Sequence, residues 1–148
     1  MIIMIVLLMI NLKSLLLLAI VTIIAVSCAR MFSRGAQQPK ALAGYSNVGV
    51  DEFQAQIADP MVQLLDVRTQ EEFDEGHIAR ALLADVNDSA FVDKAVALLD
   101  KQRPVAVYCR SGRRSARAAG LLVEQGYTVT NLNGGVMAWQ DAGKTLVK

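Results

Sequence analysis

From about residue 45 onward the chain alternates short apolar runs with amphipathic stretches. Such alternation is the pattern of βαβ units, in which each strand is followed by a helix that packs back on a mostly parallel sheet. It leads us to expect an α/β domain, with a central sheet of about five strands and helices on both faces. The strand candidates are Val62–Val67, Ala81–Ala84, Val105–Tyr108 and Thr128–Asn131, with a further short one near Tyr45–Val48. The run Val62-Gln63-Leu64-Leu65-Asp66-Val67 is largely apolar, as a strand covered on both faces should be.

Helix candidates follow from caps and from 3.6-residue spacing. Thr69-Gln70-Glu71-Glu72 has the capping-box form, and Gly76 stops that short helix. Asp51–Ala58 places Phe53, Ile57 and Ala58 on one side, and Ser89–Leu99 keeps Phe91, Val92, Ala95, Val96, Leu98 and Leu99 in helical register. Ser115–Gln125 turns Ala118, Ala119, Leu121 and Leu122 toward a core and ends naturally at Gly126. Gly134 and Gly135 open a last helix carrying Val136, Ala138 and Trp139.

The N-terminal part differs in kind. Residues 1–27 are almost wholly apolar, yet Asn11, Lys13 and Ser14 interrupt them, and the unbroken run Leu15–Val26 falls short of the ~20 residues a membrane span needs. Twelve residues, apolar but for Thr22, suit a signal-peptide core instead. Read from Met9, the residues up to Lys13 form a short basic leader before it, so Met9 is an alternative start to Met1. The run closes on Ala25-Val26-Ser27-Cys28, which resembles the lipobox of bacterial lipoproteins, with Cys28 as the lipidated residue. That reading places the domain in the bacterial cell envelope, tethered to a membrane on the periplasmic side. The competing reading is an uncleaved inner-membrane anchor. Arg30, Arg34 and Lys40 then outnumber Lys13, and the positive-inside rule puts the domain in the cytoplasm. Residues 28–45 are small and polar and read as a flexible tether, whose seventeen positions after Cys28 reach roughly 23 Å. Residues 46–148 form one folded domain.

A net charge of +1 gives no reason to expect a nucleic-acid partner. Its distribution is less even. Asp51–Asp100 holds twelve acidic and three basic residues, whereas Lys101–Lys148 holds eight basic and two acidic. The two cysteines, Cys28 and Cys109, are too few for a disulfide framework and lie in segments of different character.

Cys109 lies in the basic half, between the apolar run Pro104–Tyr108 and the loop Arg110-Ser111-Gly112-Arg113-Arg114-Ser115. A thiol at the exit of a buried strand, before a glycine turn and a new helix, sits where backbone N–H groups and the helix dipole converge. Lowering a thiol pKa by two units needs roughly 2.7 kcal/mol, which one helix N-terminus and one or two hydrogen bonds supply. A general-base histidine is not required. The only histidine, His77, is far along the chain and reads as a turn residue with a structural hydrogen bond. Arg110 and Arg113, nearest the turn, are candidates for attracting an anionic substrate, and Arg117 reads as part of a solvated helix face.

These residues resemble the rhodanese-like domain family over about Tyr45–Lys148. Leu65-Asp66-Val67-Arg68-Thr69, Glu71-Glu72-Phe73 and Gly76-His77-Ile78 with Ala81 are similar to its first signature. Tyr108-Cys109-Arg110-Ser111-Gly112-Arg113-Arg114-Ser115 is similar to its active loop, and Leu132-Asn133-Gly134-Gly135-Val136-Met137-Ala138-Trp139 to its C-terminal motif. Ala79-Arg80 departs from the family's usual Pro-Gly, which should perturb a turn and leave the thiol loop untouched.

The resemblance implies sulfurtransferase chemistry without a metal or cofactor. Cys109 would take a sulfane sulfur from a small anionic donor such as thiosulfate and pass it from a persulfide to a thiol or cyanide. Backbone N–H groups from Arg110 to Ser115 would cradle the persulfide, Arg114 would close the loop in a partly structural role, and Asp66 and Arg68 would brace the site. A monomer is expected. Two other readings stay open: a non-catalytic persulfide carrier or binding module, and a cysteine phosphatase or arsenate reductase. The latter class needs arginine six positions after cysteine, where this chain has Ser115. Only four residues separate Cys109 from Arg114, a cradle sized for sulfur rather than a phosphoryl group.

Overall fold

The structure, a computed structural model, describes residues 44–148. The signal-peptide or anchor segment, Cys28 and nearly all of the tether lie outside the described residues. No helix among the described residues is long and apolar enough to cross a membrane.

Five strands form one parallel sheet: β1 (Ser46–Val48), β2 (Gln63–Asp66), β3 (Leu82–Leu83), β4 (Val105–Tyr108) and β5 (Val129–Leu132), in the order β1-β5-β4-β2-β3. Five helices accompany them: α1 (Val50–Ile57), α2 (Gln70–Glu75), α3 (Phe91–Leu98), α4 (Arg113–Glu124) and α5 (Gly135–Asp141). Every residue of β2 and of β4 is buried; β4 accordingly reads as a continuous apolar run, whereas β2 also buries Gln63, bonded to the Asp100 carbonyl, and Asp66, paired with Arg68. On one face α3 and α4 press Phe91, Ala95, Ala118, Ala119 and Leu122 onto Leu65, Val107 and Val129. On the other, α1 and α5 bring Phe53, Ile57, Val136 and Trp139 against Leu64, Ala106 and Leu132. The Phe53 and Trp139 rings meet edge to face at 6.5 Å, a preferred aromatic geometry.

Local chemistry sets the element ends. Thr69 Oγ1 accepts the Glu72 N–H while the Glu72 carboxylate accepts the Thr69 N–H, so the expected capping box is formed. α3 begins at Phe91 rather than Ser89. Asp85 and Asp88 each accept a backbone N–H two residues on, and these turns occupy the approach to the helix. In α3 the register expectation holds for Phe91, Ala95 and Leu99, but Val96 and Leu98 are exposed, and Ala58 lies exposed just beyond α1. The Ala79-Arg80 turn forms in spite of its residues. Ala81 N–H bonds to Ile78 O, with Arg80 at φ +69°, the left-handed region that favours glycine. The Arg80 guanidinium donates to the Ile57 carbonyl at the end of α1, which offsets part of the roughly 1–2 kcal/mol cost of that conformation.

The strand order positions the site. The chain leaves β2 outward to the edge strand β3 but leaves β4 in the opposite direction to β5, although β2 and β4 are neighbours. Such a reversal opens a crevice at the carboxyl ends of the strands, where α/β sheets bind ligands. Cys109 is the first residue after β4.

Candidate active site

Cys109 is buried completely, and its Sγ accepts hydrogen bonds from the Gly112 N–H at 3.2 Å and the Ser115 hydroxyl at 3.3 Å. Gly112 makes this possible by taking φ +88° as the N-cap of α4, which turns the chain sharply enough for the first helical turn to face the sulfur. Burial pushes the thiol pKa up. The Ser115 hydroxyl and the backbone N–H groups of Ser115, Ser111 and Gly112 outweigh it, so the pKa lies below the ordinary thiol value. Ser115 Oγ also stands 3.1 Å from the Gly112 carbonyl. Its single proton has two acceptors, and a sulfur anion draws it more strongly than a neutral carbonyl.

A second helix end holds the same loop from the opposite side. Val136 N–H donates to the Cys109 carbonyl at 2.8 Å and Met137 N–H to the Arg110 carbonyl at 3.1 Å. The two chains approach so closely that a Cβ at Gly135 would stand 2.3 Å from the Cys109 oxygen. No side chain larger than hydrogen fits there.

The remaining loop residues separate by environment. Arg110, Ser111 and Arg113 are exposed, Gly112 and Ser115 are buried, and Arg114 is half-buried. Arg114 points across to α2, where both of its terminal nitrogens lie 2.7 Å from the Glu72 carboxylate. That hydrogen-bonded arginine holds the Glu72 carboxyl below the usual carboxylate range, against the partial burial that would raise it. Arg117 is exposed on α4.

Asp66 and Arg68 are buried together. The Arg68 guanidinium contacts the Asp66 carboxylate at 2.6–3.0 Å and donates to the Gly76 carbonyl at 2.8 Å, fixing the end of α2 to the end of β2. Tyr108 lies beneath, its ring 5.8 Å from the guanidinium and its hydroxyl oxygen accepting the Ile78 N–H at 3.0 Å. His77 stacks on Phe73, bonds to the Phe73 carbonyl through Nδ1 and pairs its backbone with Val147. It has the structural hydrogen bond expected of a turn residue.

A cleft of about 420 Å³ adjoins the loop. Arg68, Glu72, Glu75 and Gly76 form one wall, and Arg110, Val136, Met137, Gln140 and Leu146 complete it. Arg113 does not line this cleft, and the buried Cys109 does not either. Glu72, Glu75, Tyr108 and Gly135 are thus site residues that sequence reasoning did not single out as such. Glu72 was recognisable as a cap, but its second partner lies 42 positions away.

Comparison with known proteins agrees with this architecture. A family model described as a rhodanese-like domain matches residues 49–142. A sulfurtransferase of Allochromatium vinosum is 39% identical over 87 residues, covering 58% of this chain and 78% of its own. A thiosulfate sulfurtransferase of Shewanella oneidensis is 33% identical over 103 residues, covering 68% and 98%. Among solved structures, a rhodanese-like domain protein from Staphylococcus aureus aligns with a TM-score of 0.59 at 31% identity, over 69% of this chain and 96% of its own. A rhodanese-related protein from Thermoplasma volcanium aligns with a TM-score of 0.62 at 25% identity, over 70% and 98%. With its parallel sheet, its cysteine loop at the end of β4 and a family match across most of the described residues, the chain belongs to the rhodanese-like domain family.

Proposed function

We propose that the chain is a sulfurtransferase that moves a sulfane sulfur from a thiosulfate-type donor to a thiol or cyanide through a persulfide on Cys109. The observation that carries this reading is the hydrogen-bonded sulfur itself, held by Gly112 N–H and Ser115 Oγ in a buried turn. Relatives named sulfurtransferases support the same class of activity.

In the first half-reaction the Cys109 thiolate attacks the outer sulfur of thiosulfate. A new S–S bond forms, the original S–S bond breaks, and sulfite leaves with its electron pair. The negative charge then resides on the added sulfur, and the loop donors that favour the thiolate also favour this anion. In the second, a nucleophilic acceptor takes the added sulfur and returns Cys109 to the thiolate. Arg110, exposed at the cleft, is the cation placed to attract the donor. Arg114 is committed to Glu72 and serves to brace the loop.

Cys109→Ser is expected to abolish thiosulfate:cyanide turnover with the fold intact, and residual activity above a few per cent sinks the mechanism. Thiosulfate should add one sulfur, about 32 Da, to the wild type and nothing to Cys109→Ala. Steady-state turnover separates an enzyme from a carrier, which would accept a single sulfur and stop. In the same reading Cys28 is lipidated and holds the domain at the periplasmic side of a membrane. Intact mass of the membrane-extracted protein tests this: a chain beginning at acylated Cys28 supports it, and one retaining Met1 or Met9 replaces it with the cytoplasmic anchor.

A further inference from the structure

The cleft beside the loop is much larger than a tetrahedral anion or cyanide requires, and its volume of about 420 Å³ falls in the range that holds small organic ligands. Four charged side chains face it, and two of them are already neutralised. Arg68 is paired with Asp66, and Glu72 with Arg114. The other two, Arg110 and Glu75, have no ion-pair partner among the described residues. The cleft therefore presents one unmatched positive charge on the loop and one unmatched negative charge at the end of α2, not in contact with each other. The same cleft is lined by apolar Val136, Leu146 and Met137, the last 49% exposed.

We propose that this cleft is the acceptor subsite and takes a small zwitterionic thiol, whose carboxylate meets Arg110 and whose ammonium group meets Glu75. The proposal rests on the persulfide reading above. Cys109 does not itself line the cleft, but in the persulfide the outer sulfur stands about 2 Å beyond Sγ, and that atom is the one the acceptor must reach. The acceptor thiol loses its proton to water, and its thiolate attacks the outer sulfur. The S–S bond to Cys109 breaks with both electrons returning to Sγ, where Gly112 and Ser115 receive the charge. The acceptor leaves as its own persulfide. Donor and acceptor are bound in turn, so Arg110 serves the anionic group of each.

Three thiols separate the charges: cysteine carries both groups, cysteamine only the ammonium, and 3-mercaptopropionate only the carboxylate. With thiosulfate as donor, Glu75→Gln should raise KM for cysteine and cysteamine about three- to fivefold, the loss expected of one exposed ion pair. 3-Mercaptopropionate, which carries no ammonium group, should show no such loss. Differences in thiol acidity cancel in each variant-to-wild-type ratio. S-methylcysteine, which cannot accept sulfur, should compete with cysteine and weaken by the same factor in the variant. An equal change for all three thiols, or none for cysteine, overturns the subsite while the 32 Da adduct and cyanide turnover stand. Absence of the adduct itself removes the persulfide reading and the subsite with it.

Discussion

The helices α4 and α5 begin alike and end up doing different things. Each is entered through a left-handed glycine, Gly112 or Gly134, and neither has a side-chain cap. Each therefore presents backbone N–H groups with no intrahelical acceptor. At α5 neutral carbonyls of residues 109 and 110 fill them, whereas at α4 the acceptor is the sulfur of Cys109. One residue is thus held through its carbonyl by one helix and through its side chain by the other. A helix end filled by backbone fixes geometry, and one filled by a titratable atom sets reactivity. The missing Ser, Thr, Asp or Asn cap is what leaves both ends available.

The sharpest way to break this arrangement is Gly135→Ala. The new Cβ would collide with the Cys109 carbonyl at a position of φ +59°, so overpacking and strain together should destabilise the fold by about 2–4 kcal/mol in chemical denaturation. A loss below 1 kcal/mol would show that the α5 clamp contributes little. Next in size is Ser115→Ala, which deletes a donor to a charged sulfur worth about 1.5–3 kcal/mol, hence about 1–2 pKa units. Alkylation rate against pH should shift upward by that amount, and an unchanged profile would assign the low pKa to the backbone donors alone. The pH dependence of stability has a fixed sign. Because the native thiol pKa is depressed, the wild type should gain stability relative to Cys109→Ser as pH rises toward the unfolded thiol value of about 8.5. It should lose that gain as pH falls through the native pKa, and Ser115→Ala should shrink it. The smallest effect belongs to the conventionally capped helix: Thr69→Ala should cost about 1 kcal/mol while leaving the Cys109 pKa in place. A shift in that pKa would reveal coupling through Glu72 and Arg114.

The same contrast explains what could be read from the sequence. β4 was legible because complete burial leaves a continuous apolar run, β2 because apolar residues outnumber its two buried polar ones over 62–67, and α2 because its cap is made by side chains at fixed spacing. α4 was expected from Ser115 but starts at Arg113. Its cap is a glycine conformation, which no neighbouring polar residue signals. The Cys109 loop was legible as a contiguous motif. Its two outside supports were not: Glu72 reaches Arg114 across 42 positions and α5 returns to residue 109 from beyond β5. Arg80 is a case of a local rule giving way. A turn better suited to glycine persists because the flanking strand and the Ile57 carbonyl hold it in place.

The cleft's walls come from 68–76 on one side and 136–146 on the other, and only Arg110 comes from the thiol loop itself. On the proposed reading, the sulfur loop and most of the acceptor surface are thus written in separate stretches of the chain. A lineage could exchange one without relearning the other, and so could an engineer: grafting the 70–76 and 137–146 segments of a relative onto this sheet should transplant acceptor preference while the sulfur keeps its own two helices.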